Sequence, residues 1–243
     1  MATIFLIFAF SFHMDTMDFK VVNWEKANDL KNRKETKFVK QIEFNFASVF
    51  LLEDSCLLVK PLNPFGNSLI VNNHSLLEKW IEDKRFPVDE SVNQFYEFNR
   101  NKLESLNSKN LILGKELLKM VYPEMETGLN DLSKERIDNA YVYLETNKKI
   151  KYYKFEFLVF VGDYIIRNSR IRDLRWAQLE VKQYLNPVHQ LVLISMSDTS
   201  KFYNLEEKMF GKFNYASCQY YLNAVDEGRF RKENELQKIV RVF

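Results

Sequence analysis

The sequence predicts an α+β protein, mostly helical, with a small antiparallel sheet whose C-terminal hairpin packs on a long buried helix. Three observations carry that reading. Residues 151–168 (KYYKFEFLVFVGDYIIRN) are apolar around most of a helical circumference, as a buried helix requires. Residues 175–181 (RWAQLEV) alternate, and 191–196 (LVLISM) are apolar throughout, with Asn186-Pro187 between them as a turn. Hydrophobic residues make up 46% of the 243-residue chain, which suffices for a sizeable core, and 6 Gly with 5 Pro exclude collagen-like and glycine-loop architectures.

Residues 1–16 read as an apolar leader outside the fold, and residues 17–243 as a single α+β domain with a soft boundary near 124–131. The run Ala2–Phe12 is shorter than the ~20 apolar residues a bilayer span needs. It lacks the basic flank and the small-residue cleavage site of a secretory signal. That favours a cytoplasmic protein over an exported one.

Phe38, Ile42, Phe46 and Val49 recur at helical spacing and predict a helix over 37–51; the alternation of Ile42, Phe44 and Phe46 makes a strand the competing reading. Two short apolar runs, 56–60 and 68–71, flank the turn-rich 61–67 and predict a hairpin. Ser75 and Glu78 form a capping-box pattern that opens a short helix ending near Phe86-Pro87. Helices follow over 90–106 and 110–121, the second stopping before Pro123. Ser133 caps a helix with Ile137, Tyr141 and Leu144 inward. Gly162, inside the long helix, points to close packing against another backbone. Asp198-Thr199-Ser200 predicts the cap of a helix running to Phe210 and stopped by Gly211; 215–225 is ambiguous, and the charged tail offers Ile239, Val240 and Val242 for docking.

The chemistry is mostly exclusion. Phosphate-cradling glycine loops, a nucleophile elbow and a paired-histidine zinc motif are all missing. His13, His74 and His189 have no ligand neighbours at metal spacing, so no metal or other cofactor is expected. Cys56 and Cys218 read as buried free thiols; either could meet His74 or His189 as a nucleophile pair only by tertiary convergence. The carboxylate pairs Asp131/Glu135 and Glu206/Glu207 read as solvated helix faces. With 35 basic and 33 acidic residues, no nucleic-acid partner is expected.

One local cluster stands out. Arg167, Arg170, Arg172 and Arg175 lie beside Asp163, Tyr164, Asp173 and Trp176, next to the predicted core helix. Arg and Trp are enriched at interface hot spots, so Asp163, Arg167, Arg172, Arg175 and Trp176 form the candidate binding site, for another protein with an acidic surface. The competing reading pairs the arginines internally with Asp163 and Asp173 and packs them over Trp176.

The segment VGDYIIRN (Val161–Asn168), the strand bearing Trp176 and the Asn186-Pro187 turn resemble several uncharacterised bacterial helix-plus-sheet families over residues 150–195. Some of those are immunity proteins against polymorphic toxins. The resemblance implies a non-enzymatic bacterial binding domain and supplies no catalytic residues. The alternative is an enzyme without short motifs, with a cleft between the helical middle and the C-terminal sheet.

Overall fold

A computed structural model describes residues 18–88, 96, 99–103, 106, 115–122, 133–210 and 215–243. Two five-stranded antiparallel sheets, one of them a half-barrel, dominate the architecture; 39% of the chain is helical and 27% strand. The expected mostly helical protein with a small sheet is therefore corrected. The missed strands include short, partly exposed segments such as Lys37–Gln41 and Asp198–Tyr203, whose strand identity comes from pairing with a neighbouring strand.

The N-terminal sheet contains β1 (Phe19–Val22), β2 (Lys37–Gln41), β3 (Ser48–Leu51), β4 (Leu57–Lys60) and β5 (Ser68–Val71), in the order β1-β5-β4-β3-β2. Helix α1 (Trp24–Lys31) buries Ala27 and Leu30 with Phe50 and Leu58 on one face. Helix α2 (His74–Glu82) buries Leu77 and Trp80 with Val49, Val59, Leu69 and Val71 on the other. The β4–β5 hairpin agrees with the sequence reading. The cap of α2 does not come from Ser75: the Asn73 side chain accepts from Leu76 N.

The expected helix over 37–51 is a strand, a turn and a second strand. Phe38 and Ile42 lie at helical spacing, yet Phe38 is 62% exposed and Ile42 is buried. The turn depends on Phe46 at φ 57 and on Asn45, whose Oδ1 accepts from Ala47 N. Asn45 Nδ2 donates to Leu185 O at 2.7 Å, 140 residues away, a contact that no local pattern encodes.

Helices α3 (Arg100–Leu103) and α4 (Lys115–Val121) fall within the two helices expected in the middle of the chain. Most of the rest of those helices, residues 1–16, the loop 124–131 and the proposed stop at Gly211 lie outside the described residues. Ser133 caps α5 (Lys134–Thr146) as expected, by accepting from Arg136 N. Helix α6 (Ile150–Asn168) is the long buried helix; it is kinked at Tyr153 and buries Phe155, Phe157, Leu158, Val159, Phe160 and Val161.

The second sheet contains β6 (Leu174–Val181), β7 (Val188–Ser195), β8 (Asp198–Tyr203), then, after α7 (Leu205–Phe210) and α8 (Cys218–Asp226), β9 (Arg231–Lys232) and β10 (Gln237–Val242). Its order is β10-β6-β7-β8-β9. The β6–β7 hairpin agrees with the sequence reading, except that β7 starts at Val188, three residues before the expected 191, and ends at Ser195. The expected helix from Asp198 is instead strand β8, because pairing with β7 buries Phe202 and Tyr203. The helix starts later, with Asn204 Oδ1 accepting from Glu207 N at 3.0 Å. The ambiguous 215–225 is mainly α8, capped by Ser217. The tail docks as β10, antiparallel to β6.

The β6–β7 turn ties the two sheets together. Leu185 enters the core under α2. Asn186 Oδ1 accepts from Phe86 N at 2.8 Å, and its Nδ2 donates to Phe86 O and Val88 O at 3.0 and 2.6 Å.

Gly162 approaches a side chain, correcting the expectation of a backbone neighbour: an added Cβ would lie 2.0 Å from Trp176 Cζ2. Alanine is ~1 kcal/mol better than glycine in a helix, but overpacking costs ~1–3 kcal/mol. Gly162→Ala should therefore lower the midpoint of urea denaturation, and Trp176→Leu should relieve part of that loss in the double variant. Phe157, fully buried, should cost about 3–5 kcal/mol when truncated to alanine, measured by the same titration.

Candidate functional site

The C-terminus of α6 and the start of β6 form a ridge that carries Arg167, Arg170, Arg172 and Arg175, all four exposed. Arg167 ends a helix, where a cation meets the negative end of the helix dipole. Ser169 caps the helix in an extended conformation and turns the chain toward the sheet. Ser169 Oγ donates to Asp226 Oδ1 on α8 at 2.5 Å, and Arg170 N donates to the same oxygen at 2.9 Å. The ridge is thus anchored through its backbone.

Each carboxylate beside the ridge takes hydrogen bonds from neutral donors. Asp163 accepts from Trp176 Nε1 at 3.2 Å. Asp173 accepts from Ser195 Oγ and Ser197 N, both at 2.7 Å, and closes the β7–β8 turn. The Ser195 hydroxyl, foremost, holds the Asp173 carboxyl below its ordinary value. Asp226 takes the Ser169 hydroxyl. Arg175 Nη1 donates to the Leu174 carbonyl at 2.8 Å. No carboxylate lies within ion-pair distance of Arg170, Arg172 or Arg175 among the described residues.

The structure brings the candidate residues Asp163, Arg167, Arg172, Arg175 and Trp176 to one region, but in two layers. Trp176 is 2% exposed, packed on Gly162, and Asp163 sits below the surface against its indole. The arginines lie outside. Burial pushes the Asp163 carboxyl up to about 6, opposed by the Trp176 hydrogen bond and by Arg167.

Two further polar clusters escaped the sequence reading. Asp138 on α5 accepts from Tyr215 OH at 2.5 Å and from Cys218 N at 2.9 Å, so it caps α8 from a different helix. The Cys218 thiol is buried and pushed up to about 12, chiefly by desolvation, so it is no nucleophile at neutral pH. Glu206, expected on a solvated face, is 8% exposed. Its Oε1 lies 3.8 Å from Lys154 Nζ, its Oε2 has no hydrogen-bond partner, and burial pushes the carboxyl up to about 7. Glu207 is exposed as expected and pairs with Arg231. No signal distinguished the two, since burial here follows from how α7 lies against α6 and β7.

Cys56 and His74 meet at one corner, yet not as a nucleophile and base. His74 Nε2 is 3.0 Å from Ser55 O, the Cys56 thiol lies 3.0 Å from Asn72 Oδ1, and burial raises its pKa. Cys56 is only partly buried, which corrects the reading of two buried thiols. Among the described residues, no three His, Cys, Asp or Glu side chains are grouped to hold a metal ion, and no helix is long and apolar enough to cross a membrane. Among the described residues, two open cavities flank the N-terminal sheet: one beside Arg33, Thr36 and Asp54, the other beside Lys40, Lys84 and Lys182. Neither lies between the helical middle and the C-terminal sheet.

Comparison with protein-family models, with curated proteins and with solved structures finds no match to the chain.

The buried Asp163 makes a signed pH prediction. Its folded pKa, about 6, stands above the ordinary 3.8, so the folded state holds this proton more tightly than the unfolded state. Stability from this group is full below pH ~4 and is lost as pH rises through about 6, by roughly 3 kcal/mol in all. Asp163→Asn keeps an acceptor for Trp176 and removes the charge. Its melting temperature should match wild type near pH 4 and exceed it above pH 6; parallel curves would place Asp163 in water.

Proposed function

We propose that the chain is a non-enzymatic binding protein of the bacterial immunity type, which holds an acidic surface of another protein against the ridge of Arg167, Arg170, Arg172 and Arg175. The observation that carries this is the state of the neighbouring carboxylates. Asp163, Asp173 and Asp226 are each engaged by indole, hydroxyl or amide donors, so the guanidinium groups of Arg170, Arg172 and Arg175 face solvent with no carboxylate partner among the described residues. An internal network would have paired them.

Arginine suits this task. Its planar fork binds a carboxylate through two parallel hydrogen bonds and is more weakly hydrated than an ammonium, so it loses less on desolvation. The ridge is also stiff where it matters. Ser169 and Arg170 N are fixed to Asp226, and the strand behind Arg175 packs through Trp176 on α6, which limits the ordering cost on binding. Asp163 and Trp176 belong to the site as its support. The resemblance of Val161–Asn168 and the Trp-bearing strand to immunity families points the same way, and the free thiols Cys56 and Cys218 suit a cytoplasmic, reducing setting.

The test uses one double variant, Arg172→Glu with Arg175→Glu. Partner captured by the wild-type protein should be lost from the variant, with affinity falling at least about tenfold, because like charges at an interface oppose association. Wild-type binding should also weaken with added salt, since exposed charges are screened beyond ~8 Å at physiological ionic strength. The melting temperature should not change. A variant that melts lower and still binds per folded molecule would assign the arginines to internal pairing and overturn the proposal.

A further inference from the structure

Far from the ridge, the open cavity of about 430 Å³ at the joint between the two sheets combines an apolar floor with a cationic rim. Ile42, Phe44 and Ile81 form the floor, and Phe44 is stacked on Phe86 with ring centroids 6.1 Å apart. Lys40, Lys84 and Lys182 reach the rim from three separate elements: strand β2, the turn after α2, and the β6–β7 turn. Against these three ammonium groups the lining sets one carboxylate, Glu43.

The three lysines differ in how far they are already satisfied. Lys40 Nζ is held by both oxygens of Glu78, at 2.7 and 3.0 Å. Lys84 is exposed and has no carboxylate partner among the described residues. Lys182 is the informative one. Its side chain is only 26% exposed, its nearest carboxylate oxygen, on Glu180, is 3.8 Å away, and its Nζ makes no hydrogen bond among the described residues. Charge-assisted hydrogen bonds run at about 2.7–2.9 Å, so this half-buried ammonium has room for a closer anion. The backbone that positions it is fixed, with Lys182 N donating to Leu236 O at 2.8 Å and Gln183 O accepting from Asn63 N at 2.9 Å.

We propose that this cavity binds a small organic anion, its apolar body on Phe44 and Ile81 and its phosphate or carboxylate group between Lys84 and Lys182. A cavity of this volume, lined by three apolar and five polar or charged side chains, can seat a small molecule with one apolar and one anionic end. The site stands apart from the arginine ridge: Lys182 follows the end of β6, whereas Arg175 lies near its start, about 23 Å away along the strand. It does not depend on the binding function proposed above.

Phenyl phosphate is the probe, with inorganic phosphate and phenol as its two halves, followed by two-dimensional amide NMR of the full chain. Phenyl phosphate should give saturable shifts at Phe44, Ile81, Lys84 and Lys182, with each half binding more weakly. Two variants test the cations. Lys84 sits at φ 51 in the turn that ends α2, where glycine relieves the backbone, so Lys84→Gly should leave the melting temperature unchanged or higher. Lys182→Met keeps the aliphatic stem. Each should weaken phenyl phosphate binding by about tenfold, the equivalent of one lost charge-assisted contact. No saturable shift at millimolar probe, shifts confined to other residues, or variants that bind as wild type would overturn the proposal. Equal binding of inorganic phosphate and phenyl phosphate would overturn the part assigned to the apolar floor.

Discussion

The contact between Gly162 and Trp176 is the constraint on which the C-terminal half depends. A six-membered ring lies where any other residue of α6 would carry its Cβ, so helix and sheet meet at a single distance and register. That register places Asp163 beside the indole nitrogen and gives the indole its hydrogen-bond partner. Burying Trp176 in this way adds a large apolar contribution, while the polar edge of the ring would cost several kcal/mol if left unsatisfied. The carboxylate meets that need but is itself desolvated, which is why its proton is held so tightly. One packing decision therefore fixes the helix, the strand and the charge state beneath the arginine ridge.

The two sheets meet through side-chain amides. Asn45 and Asn186 are short, carry both donors and acceptors, and reach backbone groups on the opposite half at 2.6–3.0 Å. An apolar joint would have been equally adhesive and less directional. The amides fix orientation, because each unpaired buried carbonyl or N–H would cost ~1–3 kcal/mol. Leu185 supplies the apolar part by entering the core beneath α2. The lysine-rimmed cavity follows from this joint, since Lys182 extends from one half over a floor made by the other.

What the sequence made legible was whatever its local periodicity determines. Helix α6 was visible because its apolar residues wrap the helix, and the β6–β7 hairpin because RWAQLEV alternates before an Asn-Pro turn. Strands β2 and β3 were not visible. Their turn needs Phe46 at positive φ and an Asn45 amide held by Leu185, and a contact across 140 residues leaves no trace in a window of eleven. Strand β8 misled for a related reason: Asp198 binds Ser200 N and Oγ just as a helix cap would, and only pairing with β7 decides that the chain continues extended. The arginine cluster was legible as a cluster, but its layering was not. That Trp176 faces inward and the guanidinium groups outward depends on which side of β6 meets Gly162.

The occupied carboxylates explain why Arg170, Arg172 and Arg175 have no ion-pair partner among the described residues. Glu207, Glu227 and Asp198 form ion pairs with Arg231, Arg229 and Lys201 on exposed surfaces, where such pairs contribute little and are readily exchanged. Near α6 and β6 the carboxylates are used differently. Asp173 closes a turn, Asp226 caps the chain at Ser169, and Asp163 holds an indole, each through neutral donors that the fold cannot easily replace. These bonds hold the carboxylates on the fold, while the four guanidinium groups stay exposed.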